Sequence, residues 1–314
     1  MIFWSFEVML RRLFFSLLVV VPFLYGQPPE PFRFVAMGDT GSGSVAQQRV
    51  SDQMWQWMKT NPFQLVVMLG DNIYGNTEIT GGGSPGYFHQ KFDLQYERFQ
   101  EKGVVFHAAV GNHDMQTNHA QGEIDDQRRF GILGADGYYT FNSPAQYDVK
   151  GQPLVEFFAL NSELKDEKMT QQVAWLKQEL KKSDAVWKIV FLHHPLYTVR
   201  GQHAPALVLR HLIEDSLKQN HAQFILAGHN HFYARMKPVD QTVQLITGGG
   251  GRHLAFPLND KCAVTTARRY HFLGVEVDPG KVRVVAIDQY GQRFDDATMD
   301  AGYLKLNTEG CPER

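Results

Sequence analysis

Leu65–Leu69 (LVVML) leads directly into Gly70 and Asp71, so a short, wholly apolar run ends in a side chain that can bind a metal. The same order recurs at four other places, namely Val35–Asp39, Ala108–Asp114, Ile189–His194 and Phe224–His231. Such runs are typical of strands buried on both faces, and the carboxyl ends of the strands form the ligand site in open α/β sheets. We therefore expect the five polar endings to converge in space. Two Asp, one Asn and three or more His among these residues are enough to bind two metal ions.

The composition is that of an ordinary globular chain. Its 314 residues are 43% hydrophobic and 20% charged, which suits one large domain or two small ones. The formal net charge of −2 provides no electrostatic basis for binding nucleic acid.

The N-terminus has the pattern of a secretory signal peptide. Arg11 and Arg12 precede the uncharged run Leu13–Leu24, which is short for a bilayer span of about 20 residues. We expect residues 1–26 to be a signal peptide, with an uncleaved anchor as the alternative. The mature chain, residues 27–314, is then secreted, periplasmic or lumenal, with no stable membrane span. Its two cysteines, Cys262 and Cys311, could pair there, but the sequence does not place them side by side.

The mature chain alternates apolar strand patterns with helical ones, as in βαβ units. Strands are predicted at Phe32–Met37, Leu65–Leu69, Val104–Val110, Tyr138–Phe141, Leu154–Leu160, Trp187–Leu192, Phe224–Ala227, Val243–Thr247, Phe272–Val277 and Val282–Ile287. Helices are predicted at Val45–Lys59, Phe88–Lys102, Val173–Lys182 and Ala204–Leu217. After Ala227 the pattern is mostly strands, with a hairpin turn at Asp278-Pro279-Gly280. The expected fold is α/β (α+β), a four-layer αββα sandwich of two mixed sheets flanked by helices.

Each polar ending is weak evidence alone, since Gly-Asp after a strand is usually just a turn. The loop Gly38–Gly43 could cradle a phosphate, yet it matches neither nucleotide-binding fingerprint. In combination, carboxylates, an amide and imidazoles crowded at one place would stay unsatisfied or repel each other without a cation. Oxygen and imidazole ligands without thiolate suit Fe, Mn or Zn.

The motifs GD-x-G, GD-x-x-Y, GNHD, H-x-P and GH-x-H, in this order, resemble those of the calcineurin-like metallophosphoesterases. With Tyr74 in the second motif, the chain looks like a purple acid phosphatase of the small, tartrate-resistant type. The resemblance implies the metallophosphoesterase fold for residues 27–314 and two metal ions per chain. Its ligands for Fe(III) are Asp39, Asp71, Tyr74 and His231. Asp71 bridges to a divalent ion (Fe, Zn or Mn), whose other ligands are Asn112, His193 and His229.

The resemblance also implies roles in catalysis for Asn112, His113 and His203. His203 lies one residue farther from His193 than the family pattern leads us to expect. The H-x-P spacing selects His193 as the ligand and leaves His194 to packing or support. Two further departures are the short stretch Asn161–Gln172, where the animal enzymes have a longer loop, and a glycine-rich insertion at residues 75–87.

The predicted function is a secreted acid phosphatase that hydrolyses phosphate monoesters with metal-bound hydroxide as the nucleophile. Fe(III) and M(II) carry +5, and two carboxylates and the Tyr74 phenolate reduce this to +2, which keeps the site able to release phosphate. The expected substrates are small phosphate esters or phosphoproteins, and the protein is expected to be a monomer. The alternatives are a phosphodiesterase acting on nucleotides or phospholipids with the same metals, and a non-catalytic secreted protein that binds iron or phosphate.

Overall fold

The computed structural model describes residues 30–75, 85–144, 152–300 and Leu304. The predicted signal peptide, most of the glycine-rich insertion and Cys311 lie outside these residues. Cys262 is disulfide-bonded. In the described ranges, no helix has the length and apolar composition that a bilayer span requires.

Thirteen strands occur in the described residues. In chain order they are β1 (Phe32–Met37), β2 (Leu65–Leu69), β3 (Val105–Ala109), β4 (Tyr139–Asn142), β5 (Val155–Ala159), β6 (Trp187–Leu192), β7 (Phe224–Ala227), β8 (Tyr233–Met236), β9 (Val243–Thr247), β10 (Ala263–Ala267), β11 (His271–Asp278), β12 (Lys281–Asp288) and β13 (Arg293–Asp300). One sheet has the order β13-β12-β11-β1-β2-β3, and the other has the order β10-β8-β9-β7-β6-β5-β4. Strands β1, β2 and β3 run parallel to each other, and so do β5, β6, β7 and β9.

The two sheets pack face to face through an aromatic core. The rings of Phe34 on β1 and Phe157 on β5 meet edge to face, with centroids 5.2 Å apart. The Tyr139 hydroxyl on β4 donates to the Ala108 carbonyl on β3 at 2.8 Å. Large apolar side chains buried between the sheets supply most of the favourable free energy of such a fold.

Helices cover the outer faces of both sheets. In chain order they are α1 (Val45–Met58), α2 (Pro85–Phe88), α3 (Leu94–Gln100), α4 (Asn112–Met115), α5 (Gln121–Asp125), α6 (Gln127–Phe130), α7 (Asp166–Lys182) and α8 (Leu207–Gln219). Trp57 of α1 packs on Phe272 of the first sheet, and α7 and α8 bury Leu176 and Ile213 against the second. The predicted αββα architecture is confirmed.

Several predicted elements differ in detail from the observed ones. The predicted helix Phe88–Lys102 is divided by a π-helical segment, His89–Asp93, between α2 and α3. Helix α7 begins at Asp166, seven residues before the predicted start, and strands β8, β10 and β13 were not predicted. The hairpin turn is confirmed, because the Asp278 carboxylate accepts the backbone N–H groups of Gly280 and Lys281.

Candidate metal centre

The five polar endings meet at facing edges of the two sheets. Because β1, β2 and β3 are parallel, Asp39, Asp71 and Asn112 follow their carboxyl ends along one edge. Strands β6 and β7 are likewise parallel and bring His193 and His229 to the corresponding edge of the second sheet. The predicted convergence is therefore present in the structure.

Three of the predicted ligands have an unusual backbone conformation. Asp39, Asp71 and His229 have φ angles of 59°, 51° and 66°, in the left-handed region that residues with a Cβ rarely adopt. Such strain costs about 1–3 kcal/mol per residue and concentrates at functional sites, where the surrounding structure maintains it. The backbone is thus organised around these three side chains.

The first group of donor atoms comprises the Tyr74 hydroxyl, Asp39 Oδ1 and His231 Nε2. Tyr74 Oη lies 3.1 Å from Asp39 Oδ1 and 3.4 Å from His231 Nε2, and Asp39 Oδ1 lies 3.2 Å from His231 Nε2. One ligand atom from each of Asp39, Asp71 and His231 falls within 4.8 Å of the others.

The second group surrounds His193 Nε2. This atom lies 3.1 Å from Asn112 Oδ1, 3.4 Å from Asp71 Oδ1 and 3.2 Å from His229 Nδ1. Asp71 therefore adjoins both groups, as a bridging ligand must.

These spacings fit metal coordination. Ligand atoms bound about 2.1 Å from one ion are about 3.0 Å apart in an octahedral site and about 3.4 Å apart in a tetrahedral one. His193 Nδ1 donates to the Leu69 carbonyl at 2.8 Å. In the tautomer protonated at Nδ1 alone, the Nε2 lone pair faces and repels two acceptor oxygens, Asn112 Oδ1 and Asp71 Oδ1. A cation between these atoms replaces that repulsion with coordination. His231 is oriented in the same way, because its Nδ1 bonds to the His253 carbonyl at 2.8 Å.

The buried acidic groups Asp39, Asp71 and Tyr74 also favour a bound cation. Burial, together with the charge of Asp39, raises the pKa of Asp71 to about 8. Burial raises the pKa of Asp39 too, but His231, His193 and the Tyr74 hydrogen bond together more than offset it, so the net shift is downward. Burial and the same carboxylates raise the pKa of the Tyr74 phenol. Positive charge at the centre would favour the ionised form of all three ligands.

Three further histidines, His113, His194 and His203, lie beside the predicted ligands. The His113 ring is half-buried with its centroid 4.6 Å from that of Tyr74, and the backbone N–H of His113 donates to Asp71 Oδ1. The exposed His203 stacks on His229 at 4.2 Å. His194 packs on His229 at 3.8 Å, and its Nδ1 lies 2.5 Å from the Glu163 carboxylate. The expected packing role of His194 matches this placement.

A cavity of about 410 Å³ opens over the donor atoms and is called the metal-site cavity below. Its lining consists of Asp71, Asn112, His113, Gln202, His203, His229, His231, Arg252, His253, Leu254 and Ala255. Both candidate catalytic histidines therefore face the space in which a phosphate would lie.

Sequence reasoning missed several residues that hold the site together. Asp114 accepts the backbone N–H groups of Gly111, Asn72 and Ile73, and Asn230 accepts the N–H of His203. Both residues lie within the motifs GNHD and GH-x-H, so their position in a motif is the sequence signal that could identify them. Arg252 immediately follows the glycine run 248–251, which does not by itself point to the cavity.

The calcineurin-like phosphoesterase sequence profile matches residues 32–233, which carry all five motifs. The chain belongs to the calcineurin-like phosphoesterase family. The predicted resemblance to the metallophosphoesterases and to purple acid phosphatases is confirmed. The prediction of a metal-dependent phosphatase is confirmed with it.

Curated relatives of this calcineurin-like phosphoesterase are purple acid phosphatases. Purple acid phosphatase 17 of Arabidopsis thaliana is 28% identical over 69% of this chain and 68% of its own length. The purple acid phosphatase of Glycine max is 27% identical over 77% of this chain and 52% of its own length. The Arabidopsis thaliana Fe(3+)-Zn(2+) purple acid phosphatase 12 is 24% identical over 75% and 49%, respectively. The chain thus spans only about half the length of some of these relatives.

Solved structures share the fold of this phosphoesterase. GAP50, described as the anchor in the inner membrane complex of Plasmodium, has a TM-score of 0.74 at 16% identity, over 86% of this chain and 89% of its own. The purple acid phosphatase PPD1 from yellow lupin (Lupinus luteus) seeds has a TM-score of 0.69 at 18% identity, over 90% and 56%. At these identities the likeness shows the fold alone.

Proposed function

We propose that the protein is a secreted acid phosphatase that hydrolyses phosphate monoesters at a dinuclear Fe(III)–M(II) centre. The observation that carries this proposal is the position of the buried Tyr74 hydroxyl, 3.1 Å from Asp39 Oδ1 and 3.4 Å from His231 Nε2. A phenolate at this place offsets the extra charge of a ferric ion. An otherwise similar site for two divalent ions has no need of it.

The proposed ferric ligands are Asp39, Asp71, Tyr74 and His231, and the divalent ion (Fe, Zn or Mn) adds Asn112, His193 and His229. The Fe(3+)-Zn(2+) relative of Arabidopsis thaliana supports such a mixed pair. When bound, the two ions supply positive charge that holds a phosphate and lowers the pKa of water.

The chain's own residues orient the ester and handle its protons. Asn112 offers an amide to the phosphoryl oxygens, and its Oδ1 is held beside His193 Nε2. His113 packs on Tyr74 and His203 packs on His229, and both line the cavity. Either can donate a proton to the leaving oxygen. Burial, followed by the charge of Arg252, lowers the pKa of His113, so its protonated form is favoured only at acid pH.

The cellular setting is part of the proposal. Residues 1–26 are proposed to be a signal peptide and residues 27–314 the catalytic domain, acting as a monomer outside the cytoplasm. The metal-site cavity of about 410 Å³ is open to solvent, which suits small phosphate esters or exposed phosphorylated side chains of proteins.

A visible spectrum combined with metal analysis tests the ferric assignment. We expect a tyrosinate-to-iron charge-transfer band that is lost in Tyr74→Phe and kept in Tyr290→Phe, a control at an exposed tyrosine. A colourless protein with two divalent ions would overturn the ferric assignment.

Hydrolysis of an aryl phosphate and of its bis-aryl diester tests the reaction. Faster cleavage of the monoester is expected. A strong preference for the diester favours the phosphodiesterase reading, and metal-loaded protein that cleaves neither ester at acid or neutral pH favours the binding protein.

A further inference from the structure

Arg252 lines the metal-site cavity but is neither a proposed metal ligand nor a proposed proton donor. Its guanidinium carbon lies 4.5 Å from the centroid of the Tyr74 ring. The side chain is half-buried.

The backbone holds Arg252 firmly beside the metal ligands. Its N–H donates to the Asp39 carbonyl at 3.0 Å, and the Gly250 N–H donates to the Gly38 carbonyl at 3.0 Å. The Gly251 carbonyl accepts the hydroxyls of Ser42 and Ser44 at 3.0 and 2.9 Å. These hydrogen bonds hold the loop that carries Arg252 against the loop that carries Asp39. The backbone of Arg252 therefore has little freedom to move.

Arg252 has no carboxylate partner among the described residues. Within residues 30–75, 85–144, 152–300 and Leu304, no carboxylate lies within ion-pair distance of its guanidinium. Several other arginines are paired with carboxylates, such as Arg235 with Asp295 and Arg283 with Asp296. Its nearest charged neighbours include another cation, Lys91, whose amino group donates to the Tyr74 carbonyl. Positive charge in excess at a cavity wall favours an anionic ligand.

Contact with an aromatic ring does not by itself explain Arg252. Arg49 makes the same kind of contact with the exposed Tyr290, at 6.0 Å from its ring centroid, and it does not line the metal-site cavity. What distinguishes Arg252 is that its contact lies at the cavity, next to the space for the phosphate.

We propose that Arg252 binds a second anionic group of the substrate, next to the phosphate that is hydrolysed. The inference rests on the proposed phosphatase function and narrows its substrate class. The preferred substrates are phosphate monoesters or diphosphates in which the leaving group carries a carboxylate or a phosphoryl group close to the departing oxygen. The planar guanidinium donates two parallel hydrogen bonds to either group, and the neighbouring cavity wall, Leu254 and Ala255, is apolar and offers no competing charge.

Three substrates with one aryl group test the proposal, namely phenyl phosphate, 2-carboxyphenyl phosphate and phenyl diphosphate. Arg252→Gln is expected to lower kcat/KM for the two anion-bearing substrates by about tenfold to a hundredfold more than for phenyl phosphate. The loss should appear mainly in KM. Arg252→Lys should retain part of the preference, because the charge remains while the planar fork is lost. A selective loss for the carboxylate or for the diphosphate identifies which anion is recognised.

Arg49→Gln, at an exposed arginine over Tyr290, is the matched control and should leave all three kcat/KM values unchanged. Thermal unfolding of all three variants should match the wild type. An equal loss for all three substrates in Arg252→Gln, or none, overturns the proposal.

Binding separates this inference from the proposed function. Phenylphosphonate and methylenediphosphonate are titrated into the metal-loaded wild type and Arg252→Gln. Weaker binding of the diphosphonate alone supports the anion site even where no substrate is turned over, in which case only the phosphatase proposal fails. Equal weakening of both ligands, or no change, overturns the anion site whatever the activity.

Discussion

Histidine 113 illustrates how a single side chain is placed beside the metal centre without joining it. Its backbone N–H donates to Asp71 Oδ1 at 2.9 Å, while its ring faces the cavity beside Tyr74. The adjacent residue, Asn112, points to His193 instead. In the proposed function, neighbours in one motif thus have separate roles, Asn112 toward the metal and His113 toward the substrate.

Substitution of this ring should affect turnover and spare the metals. We expect His113→Asn to lower kcat for an aryl phosphate by about a hundredfold to a thousandfold, the usual contribution of general acid catalysis. Metal content should stay at the wild-type level. His221→Asn, at an exposed histidine remote from the cavity, is the control. Loss of metal together with activity would instead make His113 a part of the metal site.

At the scale of elements, the site depends on how closely the strand ends approach. Gly70 has a φ of +81°, and a Cβ added to it would lie 2.6 Å from His193 Nδ1. A Cβ at Gly111 would lie 2.2 Å from the Asp71 nitrogen. The loop after β2 can therefore meet β3 and β6 only with glycine at these places, which accounts for the Gly-Asp and Gly-Asn order.

Gly70→Ala and Gly103→Ala separate crowding from backbone strain. Gly103 has nearly the same φ, +80°, but a Cβ there would meet nothing within 4 Å. Gly103→Ala should cost about 1 kcal/mol of the free energy of unfolding, and Gly70→Ala several kcal/mol together with metal affinity. Urea unfolding and metal analysis measure both quantities. Equal costs would mean that the contact with His193 is unimportant.

An ion pair fixes the π-helical segment to α6. The Arg129 guanidinium donates twice to the Asp93 carboxylate, both at 2.7 Å. Burial raises the pKa of Asp93, but the bonds and charge of Arg129 more than offset this, so the net shift is downward. A lowered carboxyl pKa stabilises the fold above the unfolded value of about 3.9, and this stability is lost as pH falls through the folded pKa.

Asp93→Asn should accordingly lower the free energy of unfolding by about 1–3 kcal/mol at neutral pH. The difference from wild type should shrink as the pH falls below about 4. Asp52→Asn breaks a comparable pair with Arg98 at a side chain that is 47% exposed, and should change stability by less than about 0.5 kcal/mol. Urea unfolding across this pH range tests the pair, and a pH-independent difference would contradict the assignment.

Across the whole molecule, the centre joins the two sheets. Asp39, Asp71 and Asn112 follow strands of the first sheet, whereas His193 and His229 follow strands of the second. Ions held by ligands from both sheets oppose their separation on unfolding. Metal binding and folding should be linked for this reason.

Chelation should therefore lower the thermal midpoint of the purified protein. An ion present at a hundred times its Kd stabilises the folded state by about 2.7 kcal/mol, which is a shift of several degrees for a chain of this size. His193→Ala should start from a lower midpoint and respond less to the chelator. An unchanged midpoint on complete metal removal, verified by metal analysis, would refute the linkage.

The order of apolar runs, glycines and ligand residues was sufficient to predict the two-sheet fold and the residues that converge. These patterns are local, because a buried strand and the turn that follows it are encoded within about ten neighbouring residues. The roles of Asp39, Asp71, Tyr74, Asn112, His193, His229 and His231 as ligands stay a prediction, although the structure brings their donor atoms together.

Tertiary structure alone decided the features that depend on contacts between distant segments. Strand β13 has a weak apolar pattern and is a strand because β12 pairs with it, and the π-helical segment lies where Arg129 reaches Asp93. Arg252 lies over Tyr74, which is 178 residues earlier in the chain, and nothing in the glycine run 248–251 indicates this contact. The sequence by itself determined which side chains could bind metal, since local patterns encode strands and turns. Only the tertiary structure decided that Arg252 lines the metal-site cavity, since that depends on long-range contacts.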